Sequence, residues 1–312
     1  MAKIKRLFND PYDIVEEMVE GYVGAHKQYV KMCDLDEAQG RVVLANDAGT
    51  KDKVGVIIGG GSGHEPLFIG YVGEDFADAV VIGNINTSPS PDPCYAAAKA
   101  CDNGKGCIYL YGNYAGDVMN FDMGAEKADE EDDIRVETVL VTDDVVSSEN
   151  IPDRRGIAGD FFVFKVAGAK AATGADLDEV VAAAQKANDN TRSMGVAMSS
   201  ATLPAKGGTI FDMEDGDMEI GMGIHGEPGI RRGKIDTADN VIDEIMEPIL
   251  KDLPYVEGDE VYVLVNSLGA TPLIDLHVCY RRVAQILEEK GIKVYKALVG
   301  PFACSCLLYT SD

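Results

Sequence analysis

The chain has 312 residues, 46% of them hydrophobic, enough for two domains of ordinary size with real cores, so a folded chain rather than a disordered one is the default reading. Its formal charge of −25, from 28 basic against 53 acidic residues, repels nucleic acid and anionic membrane surfaces. There is no run of about 18 apolar residues, and the opening MAKIKRLFNDPYD lacks the apolar core of a signal peptide, so a soluble cytoplasmic protein is expected.

In chain order, Asp10 and Pro11 start a helix whose stripe is Ile14, Val15, Met18, Val19, Tyr22 and Val23, with His26 at its edge. From residue 54 short apolar strands alternate with helices: VGVII, a glycine loop, AVVIG, the loop NINTSPSPDP, the helix CYAAAKACDN, CIYLY, the loop GNYAGD, a helix, then VETVLVTDD. This is the pattern of an α/β domain with a largely parallel sheet, and the loops after strands ending at 58, 83 and 111 gather at one edge. An Ala-rich helix over about 176 to 190 closes this part.

A second unit follows, with GVAMS, the turn-rich LPAKGGT, MEIGMGIHGEPG, a helix from about 237 to 251, EVYVLVN, the helix PLIDLHVCYRRVAQILEE and KVYKALVG. In the last helix the expected apolar stripe is Leu273, Leu276, Tyr280, Val283 and Leu287, which leaves His277 on a solvated face. The expected organisation is therefore two α/β domains, 1–192 and 193–312, with mostly parallel or mixed sheets flanked by helices. The ending CSCLLYTSD fits neither a helix nor a strand and reads as truncated or foreign sequence.

The seven cysteines are scattered, mostly inside apolar stretches, and read as buried thiols. Only Cys304 and Cys306 stand close together, and the four histidines show no paired spacing, so no metal site is expected.

The loop GGGSGHEP fails three standard patterns. A dinucleotide fingerprint meets His64 where its third glycine belongs, a phosphate-binding loop lacks its lysine and Ser or Thr, and a nucleophile elbow needs glycine at 64. What remains is a backbone cradle for a small oxygen-bearing ligand, with His64 beside it. Asp117 in GNYAGD is a strand-end carboxylate or a plain helix N-cap. His225 in GIHGEPG has glycines on both sides, so its imidazole is uncrowded and suited to act as a base or as a nucleophile towards a carbonyl. Two glycine-set histidines and a carboxylate together favour a site over packing residues.

Four motifs, GGGSGHEP, GNYAGDVMNF, GIHGEPGI and NSLGATPL, in this order over about residues 6 to 300, resemble the substrate-binding K subunit, or K domain, of dihydroxyacetone kinases. The resemblance implies that His225 holds a ketose as a covalent hemiaminal, and that His64 and Asp117 hydrogen-bond and deprotonate its terminal hydroxyl. It also implies that Gly61, Ser62 and Gly63 line the substrate. The phosphoryl donor, ADP or ATP with Mg, is then expected on a separate L subunit, with no cofactor on this chain, and a homodimer is expected. Two positions depart from the family pattern: Gly112 stands where a lysine is usual and Asn86 where an aromatic is usual. Loss of a cation and a ring suits a longer ketose such as erythrulose. Readings from other classes are a non-catalytic ketose sensor and a nucleotide-dependent oxidoreductase.

Overall fold

The computed structural model describes residues 7–205, 207–209 and 211–305. These form two compact units, one from 7–142 with 159–191 and the other from 143–158 with 192–305. The expected division at 192 leaves 143–158 in the N-terminal part, whereas the structure groups this segment with the C-terminal one. The physical ties are the buried Arg154, bidentate on Asp252 at 2.8 and 2.6 Å, and Ser193, whose hydroxyl donates to Asp143.

The first unit begins with α1 (Ile14–His26), which buries Val15 and Val19 of the expected stripe. His26 Nδ1 lies 2.9 Å from Tyr22 O and its ring stacks on Tyr22, as suits a helix-edge histidine. There follow β1 (Val30–Met32), β2 (Val42–Ala45), β3 (Gly55–Ser62), β4 (Ala79–Ile85), α2 (Pro91–Cys101), β5 (Cys107–Gly112), α3 (Ala115–Asp132), β6 (Val136–Val141), α4 (Asp160–Ala171) and α5 (Leu177–Asp189). The six strands form one sheet in the order β1-β2-β4-β3-β5-β6. Pairs β4–β3, β3–β5 and β5–β6 are parallel, and β1 and β2 form an antiparallel edge. Val56, Ile57, Ile58 and Ile108 are fully buried at its centre, each contributing about 2 kcal/mol of hydrophobic stabilisation. Helix α5 starts with a capping box between Asp176 and Glu179, which satisfies otherwise orphaned N–H groups of its first turn.

The glycine run is strand rather than loop, since β3 continues through Gly59, Gly60 and Gly61 to Ser62. Successive Cβ positions in a strand point to opposite faces. A Cβ on Gly59 would lie 2.5 Å from Val81 O and 2.8 Å from the Phe121 ring of α3. One on Gly60 would lie 2.6 Å from the Phe68 ring, which in turn packs on Phe164 of α4. The glycines therefore let the Phe121 ring of α3 and the Phe68 ring of the segment after β3 close onto the sheet.

The second unit has β7 (Val196–Ala197), β8 (Thr202–Leu203), β9 (Gly208–Thr209), β10 (Asp217–Ile220), β11 (Arg231–Lys234), α6 (Ala238–Asp252), β12 (Glu260–Leu268), α7 (Leu273–Glu289) and β13 (Lys293–Cys304). Strands β11, β10 and β7 make an antiparallel sheet, β8 pairs with β9, and β12 pairs in parallel with β13. Ile242 and Met246 of α6 pack with Val283, Ile286 and Leu287 of α7 and with Ile292 as one core. Leu273, expected in the buried stripe of α7, is instead 55% exposed, while His277 is exposed as expected. Strand β13 runs four residues past the expected end, and Cys304, the first residue of the anomalous ending, pairs with Leu268. Ser305 N donates to Leu268 O at 2.9 Å, and the rest of that ending, from Cys306 on, lies outside the described residues.

Among the described residues no helix is long and apolar enough to cross a membrane.

Candidate active site

The parallel order of β4, β3 and β5 carries the segments after all three strands to the same edge of the sheet. After β3 come Gly63 and His64, after β4 come Asn86 to Ser90, and after β5 comes the start of α3. These segments touch. A Cβ on Gly61 would lie 2.7 Å from Thr87 N and 3.1 Å from Asn86 Cα, and Asn120 of α3 donates from Nδ2 to Ser88 Oγ at 3.2 Å. The sheet thus gathers Gly61, Ser62, Gly63, His64 and Asp117 at one edge.

Their individual roles differ from a bare cradle. The Ser62 hydroxyl donates to Gly83 O at 2.7 Å, and its backbone carbonyl accepts from Asn86 N at 2.9 Å, so it clamps β3 to the end of β4. The Gly63 N–H points at the Glu65 carboxylate, 3.2 and 3.1 Å from its two oxygens. Burial raises the Glu65 pKa above the usual carboxylate value, against the lowering pull of the N–H groups of Glu65 and Gly63. His64 is only 2% exposed, with the Phe68 ring edge-on at 6.4 Å.

Asp117 is not the N-cap of α3. Tyr114 holds that position, and Asp117 is buried in the first turn, where the partial positive charge of the helix N-terminus favours a carboxylate. Asn86 has φ of 52°, the left-handed region that asparagine adopts more easily than an aromatic side chain, which accounts for the residue at this position.

His225 lies in the second unit, between β10 and β11, in a turn closed by Gly226 N donating to Gly223 O at 3.0 Å and Gly223 N donating to Glu227 O at 3.0 Å. Its side chain is 24% exposed. Glu227 holds it twice: one carboxylate oxygen accepts the His225 backbone N–H at 3.0 Å, and the other lies 3.2 Å from Nδ1. Arg155 stands 3.8 Å from the first of these oxygens and is itself anchored on Asp144 from Nε at 3.0 Å and Nη2 at 2.8 Å. Burial pushes the Glu227 carboxyl up, but the hydrogen bond and charge of His225, its own backbone N–H and Arg155 outweigh this and hold it at about 2.

Glu65 and Glu227 are the residues that reading the motifs missed. Both stand two positions after the residue whose backbone N–H they accept, once in GHEP and once in HGEP, and both precede a proline. That repeated Glu-Pro was the available signal. Among the described residues no three His, Cys, Asp or Glu side chains are grouped to hold a metal ion.

A family model described as the Dak1 domain matches residues 20–307. The dihydroxyacetone-binding subunit DhaK of the PTS-dependent dihydroxyacetone kinase 2 of Listeria innocua is 59% identical, over 97% of this chain and 90% of that protein. The L-erythrulose 1-kinase of Mycolicibacterium smegmatis is 42% identical over 96% of this chain and 52% of its own length. The native-form crystal structure of the dihydroxyacetone kinase of C. freundii superposes with a TM-score of 0.89 at 32% identity, covering 97% of this chain and 55% of that one. The chain thus spans about half the length of the latter two proteins.

Proposed function

Because the chain belongs to the Dak1 domain family, we propose that it is the ketose-binding subunit of a dihydroxyacetone kinase, a phosphotransferase that acts on an alcohol group. The observation that carries this reading is the 59% identity to a dihydroxyacetone-binding subunit along 97% of the chain. In this reading the ring of His225 adds to the ketone carbon and holds it as a hemiaminal. His64 and Asp117 bind the terminal hydroxyl and take its proton as it attacks phosphorus, with Gly61, Ser62 and Gly63 beside them. Covalent capture selects for a carbonyl, so glycerol, similar in shape, is rejected by reactivity. The rest of the catalysis is positioning and charge stabilisation, which phosphoryl transfer chiefly requires.

In this proposal the donor, ADP or ATP with Mg, is carried by a partner L subunit; the naming of the Listeria relative as a dihydroxyacetone-binding subunit supports a separate partner. The subunit acts in the cytoplasm, as a homodimer, in glycerol metabolism. A second reading takes erythrulose as substrate; it is favoured by the M. smegmatis relative and by Gly112 and Asn86, the two positions that depart from the family pattern.

Carbon NMR with dihydroxyacetone labelled at its carbonyl carbon tests the proposal, with His225→Ala and protein-free hydrate as controls. A new tetrahedral-carbon signal that depends on His225 is expected. An unchanged carbonyl signal with both dihydroxyacetone and erythrulose would overturn the covalent reading.

A further inference from the structure

An imidazole adds to a carbonyl through whichever ring nitrogen carries the lone pair, so a nucleophilic histidine needs its tautomer set. Around His225 the structure contains a device for this. Nδ1 lies 3.2 Å from Glu227 Oε1, and a carboxylate oxygen only accepts hydrogen bonds, so the neutral ring places its proton on Nδ1 and its lone pair on Nε2.

Glu227 cannot readily turn away. Its Oε2 accepts the His225 backbone N–H at 3.0 Å and stands 3.8 Å from Arg155 Nη1. Arg155 is fixed by Asp144, which is 1% exposed, and by Gly221 O at 3.3 Å. Gly223 has no side chain where one would collide with both Glu227 Oε2 and the Arg155 guanidinium, so the turn is built around this contact.

We propose that Glu227 is the positioning residue that sets the tautomer of His225, keeping the proton on Nδ1 so that Nε2 adds to the ketone. The role rests on the covalent reading above and extends it. In the addition the Nε2 lone pair forms the N–C bond, and the C=O π pair moves onto oxygen. The ring, now cationic, faces the ionised Glu227; it releases the Nδ1 proton while the oxygen gains one, with water carrying the proton between them, and the adduct is neutral. In this role Glu227 acts through the ring.

The test exploits an asymmetry of the site. Both neighbours of Oε2, the His225 N–H and Arg155, are donors. In Glu227→Gln the amide oxygen therefore remains there, and the NH2 group turns to Nδ1, where it can only donate. The ring must then accept at Nδ1 and move its proton to Nε2, with the side-chain shape unchanged. Nitrogen NMR on the full chain labelled at histidine ring nitrogens, with His225→Ala for assignment, reads the tautomer before any ketose is added.

The expected result is a protonated Nδ1 in the wild-type protein, an inverted ring in Glu227→Gln, and a fall of about 100-fold or more in adduct formation from labelled dihydroxyacetone, as wrong-tautomer substitutions in catalytic triads produce. A residue that merely closes the turn would leave the tautomer unmoved. A wild-type ring protonated on Nε2 overturns the proposal without recourse to any variant, and so does a Glu227→Gln protein that retains either the wild-type tautomer or the wild-type adduct level. If the ring behaves as expected but the wild type captures no ketose, the covalent reading fails, and with it the addition at Nε2.

Discussion

Arg154 grips Asp252 with both ends of its guanidinium, at 2.8 and 2.6 Å, and Arg192 donates to the same carboxylate. The two arginine side chains are only 4% and 3% exposed, so one carboxylate is shared by two buried cations from separate stretches of the second unit. Hydrogen bonding by Arg154 outweighs the effect of burial and, with Arg192, holds the Asp252 carboxyl at about 2.

Asp252→Ala removes the carboxylate shared by these two buried guanidinium groups, and a loss of about 3 kcal/mol is expected, measured by urea unfolding at neutral pH. Because the folded pKa lies below the unfolded value, this stabilisation is present above pH ~4 and is lost as pH falls towards about 2. The wild-type and variant unfolding curves should therefore converge at the acid end. Equal stability at neutral pH would count against the ion pair as a fastening.

Asp144 titrates in the opposite sense. Burial, only partly offset by Arg155 and reinforced by Asp143, raises its carboxyl to about 6. A folded pKa above the unfolded one gives a stability contribution that is complete below pH ~4 and is lost as pH rises through 6. Asp144→Asn should flatten the pH dependence of unfolding between those limits; an unchanged slope would show that the group titrates at its ordinary value.

Gly61→Ala places a methyl group 2.7 Å from Thr87 N, a backbone atom that cannot swing aside. Overpacking of this kind costs about 1–3 kcal/mol, and here it also displaces the segment after β4 that borders the proposed site. The expected outcome is a lower melting temperature together with a several-fold weaker ketose adduct. Unaltered adduct formation in a destabilised protein would separate the strand packing from the site.

Asp117→Asn keeps the side-chain volume in the first turn of α3 but removes the proposed base. With a complete phosphorylating system, transfer should fall by about 100-fold or more while the carbonyl adduct persists. Parallel loss of both would mean that Asp117 supports binding rather than proton transfer, and loss of neither would favour the sensor reading.

The amino-acid sequence by itself determined the alternation of apolar strands and helices, the parallel sheet with its loops at one edge, and the two glycine-flanked histidines. These are encoded by local periodicity and by residues whose backbone freedom or chemistry stands out along the chain. It did not reveal that Gly59 to Gly61 are strand, because their reason lies in Phe121, Phe68 and Thr87, outside the strand, which need the space a side chain would fill. Nor could it assign residues 143–158 to the second unit, since the tie from Arg154 runs to Asp252, far along the chain. The same holds for Leu273, exposed at the end of α7 where the stripe outruns its core. Around His225 the Glu-Pro two residues on was legible as a pattern, but its meaning was not. Only folding brings Asp144 and Arg155 up behind Glu227 and turns a nearby carboxylate into one fixed against Nδ1, because orientation is set by contacts between side chains that local sequence does not specify.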